Sequence, residues 1–211
     1  MAPVFTDPQT IRHQMIKTQE EAEACVRELL EYIGEDPNRA GLVDTPHRIV
    51  KMWKEIYRGY NEEKKPHLTT FDNGQDGITY DTMVLDSGSF YSMCEHHNMP
   101  FFGDYWFAYI PHPKGKILGL SKIARMVDYC AARMQIQERL GHDIIKEIEE
   151  ALGTEYPPYG MAICLRAEHL CKEMRGVKKQ GKMTTTHLRG AFGTDKSVRD
   201  EFYDMIDRNS K

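Results

Sequence analysis

A cysteine and a histidine stand three positions apart in a short polar stretch, Cys94-Glu95-His96-His97-Asn98. A thiolate and an imidazole at this spacing in a turn can both reach one ion, and the pair suits zinc. Alone, such a pair is a weak indication of a metal. A further thiol, Cys171, follows much later in the chain. If its segment is extended, His169 faces the same side as Cys171 and lies near the metal without being needed as a ligand.

The number of ligands indicates what kind of metal site this would be. Structural zinc sites normally close four protein ligands, whereas catalytic ones keep one position for water. Cys94, His97 and Cys171 therefore predict a catalytic Zn2+ site. The alternative is that both cysteines are buried packing residues, which is common for free cysteine. The histidines that lie beside each cysteine favour the metal site.

Basic residues form three clusters that suit a phosphorylated ligand. They are Ser121, Lys122 and Arg125; Arg48 and Lys51; and Arg175, Lys178 and Lys179. Lys122 and Arg125 share one face of the first turn of a predicted helix, with Ser121 as its predicted cap. Cations at that end oppose the helix dipole, and a bound phosphate would explain them. Each cluster, taken alone, could instead be a solvated and salt-bridged surface.

Composition narrows the class of protein. The chain has 211 residues, of which 40% are hydrophobic and 28% charged, and its formal net charge is −4. An acidic chain of this kind is not expected to be a general nucleic-acid binder. No apolar run approaches the ~20 residues of a membrane helix, and the N-terminus lacks a basic, apolar secretion signal. Five cysteines with no regular spacing predict a reducing compartment, so we expect a cytoplasmic protein without a membrane partner.

The elements that must position these groups can be predicted from hydrophobic periodicity. Helices are predicted at 11–33 and 45–58, followed by a polar loop at 61–77. Later in the chain we predict strands at 82–93, 104–110, 160–170 and 183–192, and helices at 121–133, 137–152 and 195–208. The order is two helices, then ββααββ and a closing helix, which is an α+β arrangement. We divide it into an N-terminal helical region, 1–65, and a second region, 66–211.

Several stretches of the sequence carry a family resemblance. They are TPHRIVKM, SMCEHHNMPFFG, AYIP, GLSKIARMVDYCAARMQIQERL, AEHLCKEMRGVKK and TTTHLRG. They cover most of the chain from Thr45 to Gly190. In order and spacing they resemble GTP cyclohydrolase I, and the match is highly specific. The N-terminal helix and the last twenty residues are only weakly diagnostic.

The resemblance implies a role for each matching position. Cys94, His97 and Cys171 resemble the three zinc ligands, and His96 and His169 resemble the two histidines that transfer protons during ring opening. Glu138 resembles the carboxylate that reads the guanine edge, with Gln137 beside it in the purine and ribose pocket. The residues that resemble triphosphate contacts are Ser121, Lys122, Arg125, Arg175, Arg48 and Lys51.

The resemblance also implies a fold, an assembly and a reaction. Region 66–211 would be a tunnelling-fold catalytic domain, with subunits closing into a pentameric β-barrel and two pentamers forming a homodecamer whose sites lie between subunits. The reaction would be hydrolysis and rearrangement of GTP to 7,8-dihydroneopterin triphosphate and formate, the first step of pterin, folate or deazaguanine synthesis. Two alternatives are a nitrile reductase on the same fold, whose cofactor motif is not found here, and a non-catalytic nucleotide-binding or scaffold homologue.

Overall fold

The computed structural model describes residues 18–209, and the chain divides between Ile56 and Tyr57 into two compact units. In the first unit, helix α1 (Gln19–Tyr32) packs on helix α2 (Thr45–Ile56). A capping box fixes the start of α1, because Thr18 accepts from the backbone of Glu21 and Glu21 accepts from the backbone of Thr18. The predicted helix over 11–33 is confirmed from Gln19 on, and its first part lies outside the described residues. The predicted boundary between 65 and 66 stays a prediction.

The second unit contains the strands and the remaining helices. The strands are β1 (Thr70–Asp72), β2 (Val84–Cys94), β3 (Pro100–Ile110), β4 (Lys116–Leu118), β5 (Met134–Gln135), β6 (Gly160–His169) and β7 (Met183–Gly190). The helices are α3 (Ser121–Ala131), α4 (Gln137–Leu152), the short α5 (Leu170–Glu173) and α6 (Ala191–Thr194), and α7 (Lys196–Asn209). Short 3-10 turns cover Arg58–Tyr60 and Glu62–Lys64.

Within the described residues, the main sheet has five strands in the order β5-β2-β3-β6-β7. Its neighbouring strands are antiparallel, except that β5 runs parallel to the end of β2. Helices α3 and α4 cover one face, where alternate residues of β3 such as Phe101, Tyr105 and Phe107 join the larger core. Each fully buried side chain of this size stabilises the fold by roughly 1.5–3 kcal/mol.

The opposite face of the sheet carries a smaller core beneath the C-terminal helices. Trp106 and Ala108 of β3 pack there with Phe192 of α6 and Phe202 of α7. The two phenylalanine rings meet edge to face, with centroids 5.6 Å apart. Each face of the sheet therefore packs against a hydrophobic core, and this packing fixes the positions of the strand ends. Among residues 18–209, no helix is long and apolar enough to cross a lipid bilayer.

The long elements confirm the predicted α+β class, but details differ: β5 was not predicted, and β3 begins at Pro100 rather than at residue 104. The short strands β1 and β4, absent from the prediction, pair with each other from Thr70↔Leu118 to Asp72↔Lys116. The strand predicted to continue through Leu170 ends at His169, and Cys171 lies on the helical turn α5. Ser121 is the first residue of α3 rather than its cap, and no side chain caps that helix.

Candidate metal centre

The sheet register brings the predicted metal ligands and His169 to one end of the sheet. Cys94 ends β2, and the next residues turn back into β3, where Phe101 pairs with His169 at the end of β6. Helix α5 begins directly after His169 and carries Cys171. Antiparallel pairing across three strands thus gathers groups that lie far apart in the sequence.

Cys94, His97 and Cys171 form a group that could hold a metal ion, with one ligand atom of each within 4.8 Å of the others. The Sγ of Cys94 lies 3.9 Å from Nδ1 of His97 and also 3.9 Å from Nδ1 of His96. Burial and the neighbouring Cys94 thiol raise the pKa of Cys171 above its ordinary value. The expectation that an extended segment presents Cys171 is wrong, but the helical turn brings its thiol to the same place.

His169 is held in one orientation by the ring of Phe101 and the side-chain amide of Gln137. Its imidazole stacks on Phe101, with the ring planes 2° apart and the centroids separated by 4.7 Å. Its Nε2 lies 2.8 Å from Oε1 of Gln137. Burial lowers the pKa of His169 below its ordinary value, although the nearby Glu138 carboxylate acts in the opposite direction. The neutral imidazole is therefore the favoured form in this setting.

Gln137 determines which nitrogen of His169 carries the proton. This glutamine is 1% exposed, and its amide nitrogen lies 3.0–3.1 Å from the carbonyls of Leu165 and Met183 and the hydroxyl of Thr185. Because three acceptors surround the nitrogen, the amide oxygen must face His169 and accept a hydrogen bond from its Nε2. Nδ1 of the neutral ring is then free to accept a proton. Gln137 is thus hydrogen-bonded within the protein, and its place in the purine and ribose pocket stays a prediction.

Glu138 and His96 lie near this end of the sheet. Glu138 is exposed in the first turn of α4, within electrostatic range of His169. His96 is largely exposed, and its Nε2 lies 3.9 Å from the Glu95 carboxylate, which in turn forms an ion pair with Arg139. No sequence pattern distinguishes Arg139 or Phe101, since an arginine in a helix and an aromatic residue in a strand are both common in ordinary surfaces and cores.

The predicted phosphate contacts are distributed over both units. Arg175 follows α5 and donates a hydrogen bond to Nε2 of His97, which places it at the metal group. Ser121 and Arg125 are exposed on the first turns of α3, and Lys122 is half-buried there.

Arg48 and Lys51 lie on α2 of the first unit. Both are exposed, and Arg48 forms an ion pair of 3.3 Å with Asp44 one turn earlier. Roles for these residues stay predictions.

This combination, an α+β domain with a Cys-His-Cys group beside an oriented histidine, is that of a metal-dependent enzyme. A model of the family described as GTP cyclohydrolase I matches residues 22–207, and the chain belongs to this family. It is 47% identical over 189 residues to GTP cyclohydrolase 1 of Geobacillus sp. (strain WCH70), which covers 89% of this chain and 96% of that protein. It is 45% identical over 191 residues to GTP cyclohydrolase 1 of Bacillus subtilis (strain 168), which covers 90% of this chain and 96% of the relative.

Proposed function

We propose that this protein is a zinc-dependent GTP cyclohydrolase I that converts GTP and water into 7,8-dihydroneopterin triphosphate and formate. The observation that carries the proposal is the Cys94, His97 and Cys171 group beside His169, in a chain that is similar over nearly its full length to enzymes named for this activity. The alternative of a non-catalytic scaffold predicts the loss of a ligand or a proton-transfer histidine, and all of these residues are present.

The donor set of the candidate centre fits zinc. Two thiols and an imidazole are ligands that zinc prefers, and three protein ligands leave one position for a reactant. When bound, zinc would supply Lewis acidity and a water whose pKa is lowered to about 7. The unpaired thiols of the chain, including those at Cys94 and Cys171, also suit the reducing cytoplasm that we propose as its location.

His169 and His96, the two histidines outside the ligand group, transfer the protons of the reaction. Opening the imidazole ring of guanine requires a proton on N7 so that the C8–N9 bond can break. His169 is fixed by Phe101 and Gln137 with its Nδ1 free, so a proton held at Nδ1 is the one it can deliver. His96 is exposed, and we assign it the protons of the ribose, which opens and rearranges afterwards.

The Glu138 carboxylate recognises the guanine base, and the basic clusters bind the triphosphate. Glu138 accepts hydrogen bonds from N1–H and the N2 amino group of guanine; adenine lacks this donor pair and leaves the carboxylate unpaired. The triphosphate is bound by Ser121, Lys122, Arg125 and Arg175, with Arg48 and Lys51 as further contacts.

Arg175 contacts His97 in the structure and is also a proposed contact of the triphosphate. A guanidinium only donates, so its contact with His97 requires an unprotonated Nε2. Zinc would be held by Cys94, His97 and Cys171, and a proton on Nε2 of His97 would end the contact with Arg175. Arg175 would then be available to a phosphate.

The activity can be tested with purified protein, GTP and a direct measurement of formate. We expect formate and a fluorescent pterin, after oxidation, in equal amounts from GTP and neither from ATP. Removal of the metal with a chelator should abolish both products, and addition of zinc should restore them. A protein that binds GTP but releases no formate with zinc present would be the scaffold alternative.

The sheet edges support an assembly in which subunits form a ring. Within the described residues, β7 pairs only with β6, and β2 is paired on its outer side only at Met93 and Cys94. Two long open edges are a liability for a free monomer, and head-to-tail pairing between copies would close them. These edges support a ring of subunits. The pentameric barrel of tunnelling-fold subunits, its pairing into a decamer and the sites shared between chains are proposed from the family resemblance.

Shared sites predict complementation between inactive variants. Cys94→Ala and Arg125→Ala are each expected to be inactive, and mixed oligomers reassembled from both should regain partial activity, because some pockets take intact residues from different chains. Formate release measures the recovery.

The matched control is a mixture of Cys94→Ala with Cys171→Ala. Since one subunit supplies both thiols, no pocket in this mixture can be complete and no activity should return. If the first mixture also stays inactive although mixed oligomers are confirmed, each pocket belongs to a single subunit.

A further inference from the structure

Tyr57 contacts the turn that carries two histidines of the candidate site. Its hydroxyl donates a hydrogen bond to the side-chain oxygen of Asn98, the residue after His97. Tyr57 is half-buried, and burial raises the pKa of its hydroxyl, so the group remains a donor at neutral pH. Tyr57 and Asn98 are not among the residues to which the sequence or the family resemblance assigned a role.

The segment around Tyr57 is itself fixed to the body of the second unit. Gly59 donates from its backbone to the carbonyl of Ala132 at 3.0 Å, and Arg133 donates back to the carbonyl of Gly59 at 2.8 Å. The hydroxyl of Tyr60 accepts from the backbone of Met134 at 3.2 Å. A side chain at Gly59 would lie 2.3 Å from the carbonyl oxygen of Tyr129, so the segment fits there only with glycine. Tyr57 therefore extends from a rigid support.

The turn itself is held at its two ends. At one end, Glu95 forms an ion pair with Arg139, and its backbone donates to the carbonyl of Gln135 at 3.1 Å. At the other end, Asn98 takes a left-handed conformation with φ of 51° and receives the Tyr57 hydroxyl. Between these ends, the side chains of His96 and His97 are exposed. Packing therefore does little to fix the imidazoles, and apart from the Arg175 contact of His97 the conformation of the turn positions them.

We propose that Tyr57 is a positioning residue for the metal centre, acting through Asn98 to hold the turn so that His97 stays directed at the ligand group. The inference rests on the proposed metal centre. Groups that orient metal ligands typically contribute 10- to 100-fold to metal affinity, because a ligand that is already oriented loses less conformational freedom when it binds. The Tyr57–Asn98 contact lies one residue outside the ligand, which favours the lower part of that range.

The rate of zinc loss to a chromophoric chelator measures this role without relying on turnover. We expect Tyr57→Phe and Asn98→Gly each to lose zinc about tenfold faster than the unmodified protein. Glycine suits the left-handed backbone at position 98, so Asn98→Gly removes the acceptor without adding strain. Because the two groups act through one hydrogen bond, the double variant should be no faster than either single variant.

The matched control is Tyr80→Phe, which removes a hydroxyl that donates to Asp76 at 2.8 Å in the loop between β1 and β2. It should lose zinc at the unmodified rate. Cobalt substitution supplies a spectroscopic measurement, since the visible bands of a tetrahedral cobalt site should weaken in Tyr57→Phe and not in Tyr80→Phe.

Two results would overturn the inference while leaving the metal centre intact. One is that Tyr57→Phe loses zinc at the same rate as the unmodified protein and, with cobalt, shows visible bands of the same intensity. The other is that the increases in the rate of zinc loss caused by Tyr57→Phe and Asn98→Gly multiply in the double variant, since the two residues would then act separately. If the unmodified protein itself holds no stoichiometric zinc, the proposed metal centre fails, which is a different and recognisable outcome.

Discussion

Replacing Cys171 with alanine is expected to remove both the metal and the activity. The unmodified protein should contain about one zinc per chain, because one group of three ligands is gathered at the end of the sheet. Without Cys171, only Cys94 and His97 remain, and a two-ligand site does not retain zinc against a chelator. Elemental analysis of the purified variant should find less than about a tenth of the metal, and formate release from GTP should fall to background.

Cys25→Ala provides the matched control for this prediction. Cys25 is also a partly exposed free thiol, but it lies on α1 of the first unit. This variant should keep both its zinc and its activity. Retention of full zinc by Cys171→Ala would show that another residue completes the ligand group, and retention of activity without zinc would contradict the metal-dependent mechanism.

The sequence predicted the long elements well because their patterns are local. The four residues Leu140, Ile144, Ile148 and Leu152 recur at helical spacing, and all are buried on one side of α4. The short strands β1 and β4 could not be predicted in this way. Each has three residues and is stabilised by pairing with the other, across more than forty intervening positions. Such strands have little intrinsic preference, and their partner decides their conformation.

In the candidate site, too, some residues could be predicted from the local sequence, whereas others depend on strands that are distant in the sequence. The spacing of Cys94 and His97, taken together with Cys171 and the histidines beside both cysteines, was sufficient to predict a shared metal site. Gln137, in contrast, is a polar residue at the start of a helix, a position that is usually exposed. It is buried because acceptors on β6 and β7 surround its amide nitrogen, and the pairing of those two strands is not encoded near residue 137.

Replacing His169 with alanine is expected to leave the zinc in place and to lower turnover by about 100- to 10,000-fold, the usual contribution of a general acid–base group. His169 is outside the ligand group, so metal content should stay near one per chain. The reaction should stall at the opening of the imidazole ring, since the proton transfer that allows the C8–N9 bond to break has no donor. Rapid-quench analysis of one turnover, with metal content measured on the same sample, tests both parts.

His112→Gln is the control for this variant. His112 lies beyond the far end of β3, where its ring packs on Tyr156 with centroids 5.4 Å apart, so its loss should change turnover little. A second comparison separates chemistry from orientation. His169→Gln keeps a side chain of similar size that can still contact Gln137, yet it cannot carry a proton, and it should be as slow as His169→Ala. Turnover near the unmodified rate in either His169 variant would remove this residue from the proton-transfer role and leave His96 as the candidate.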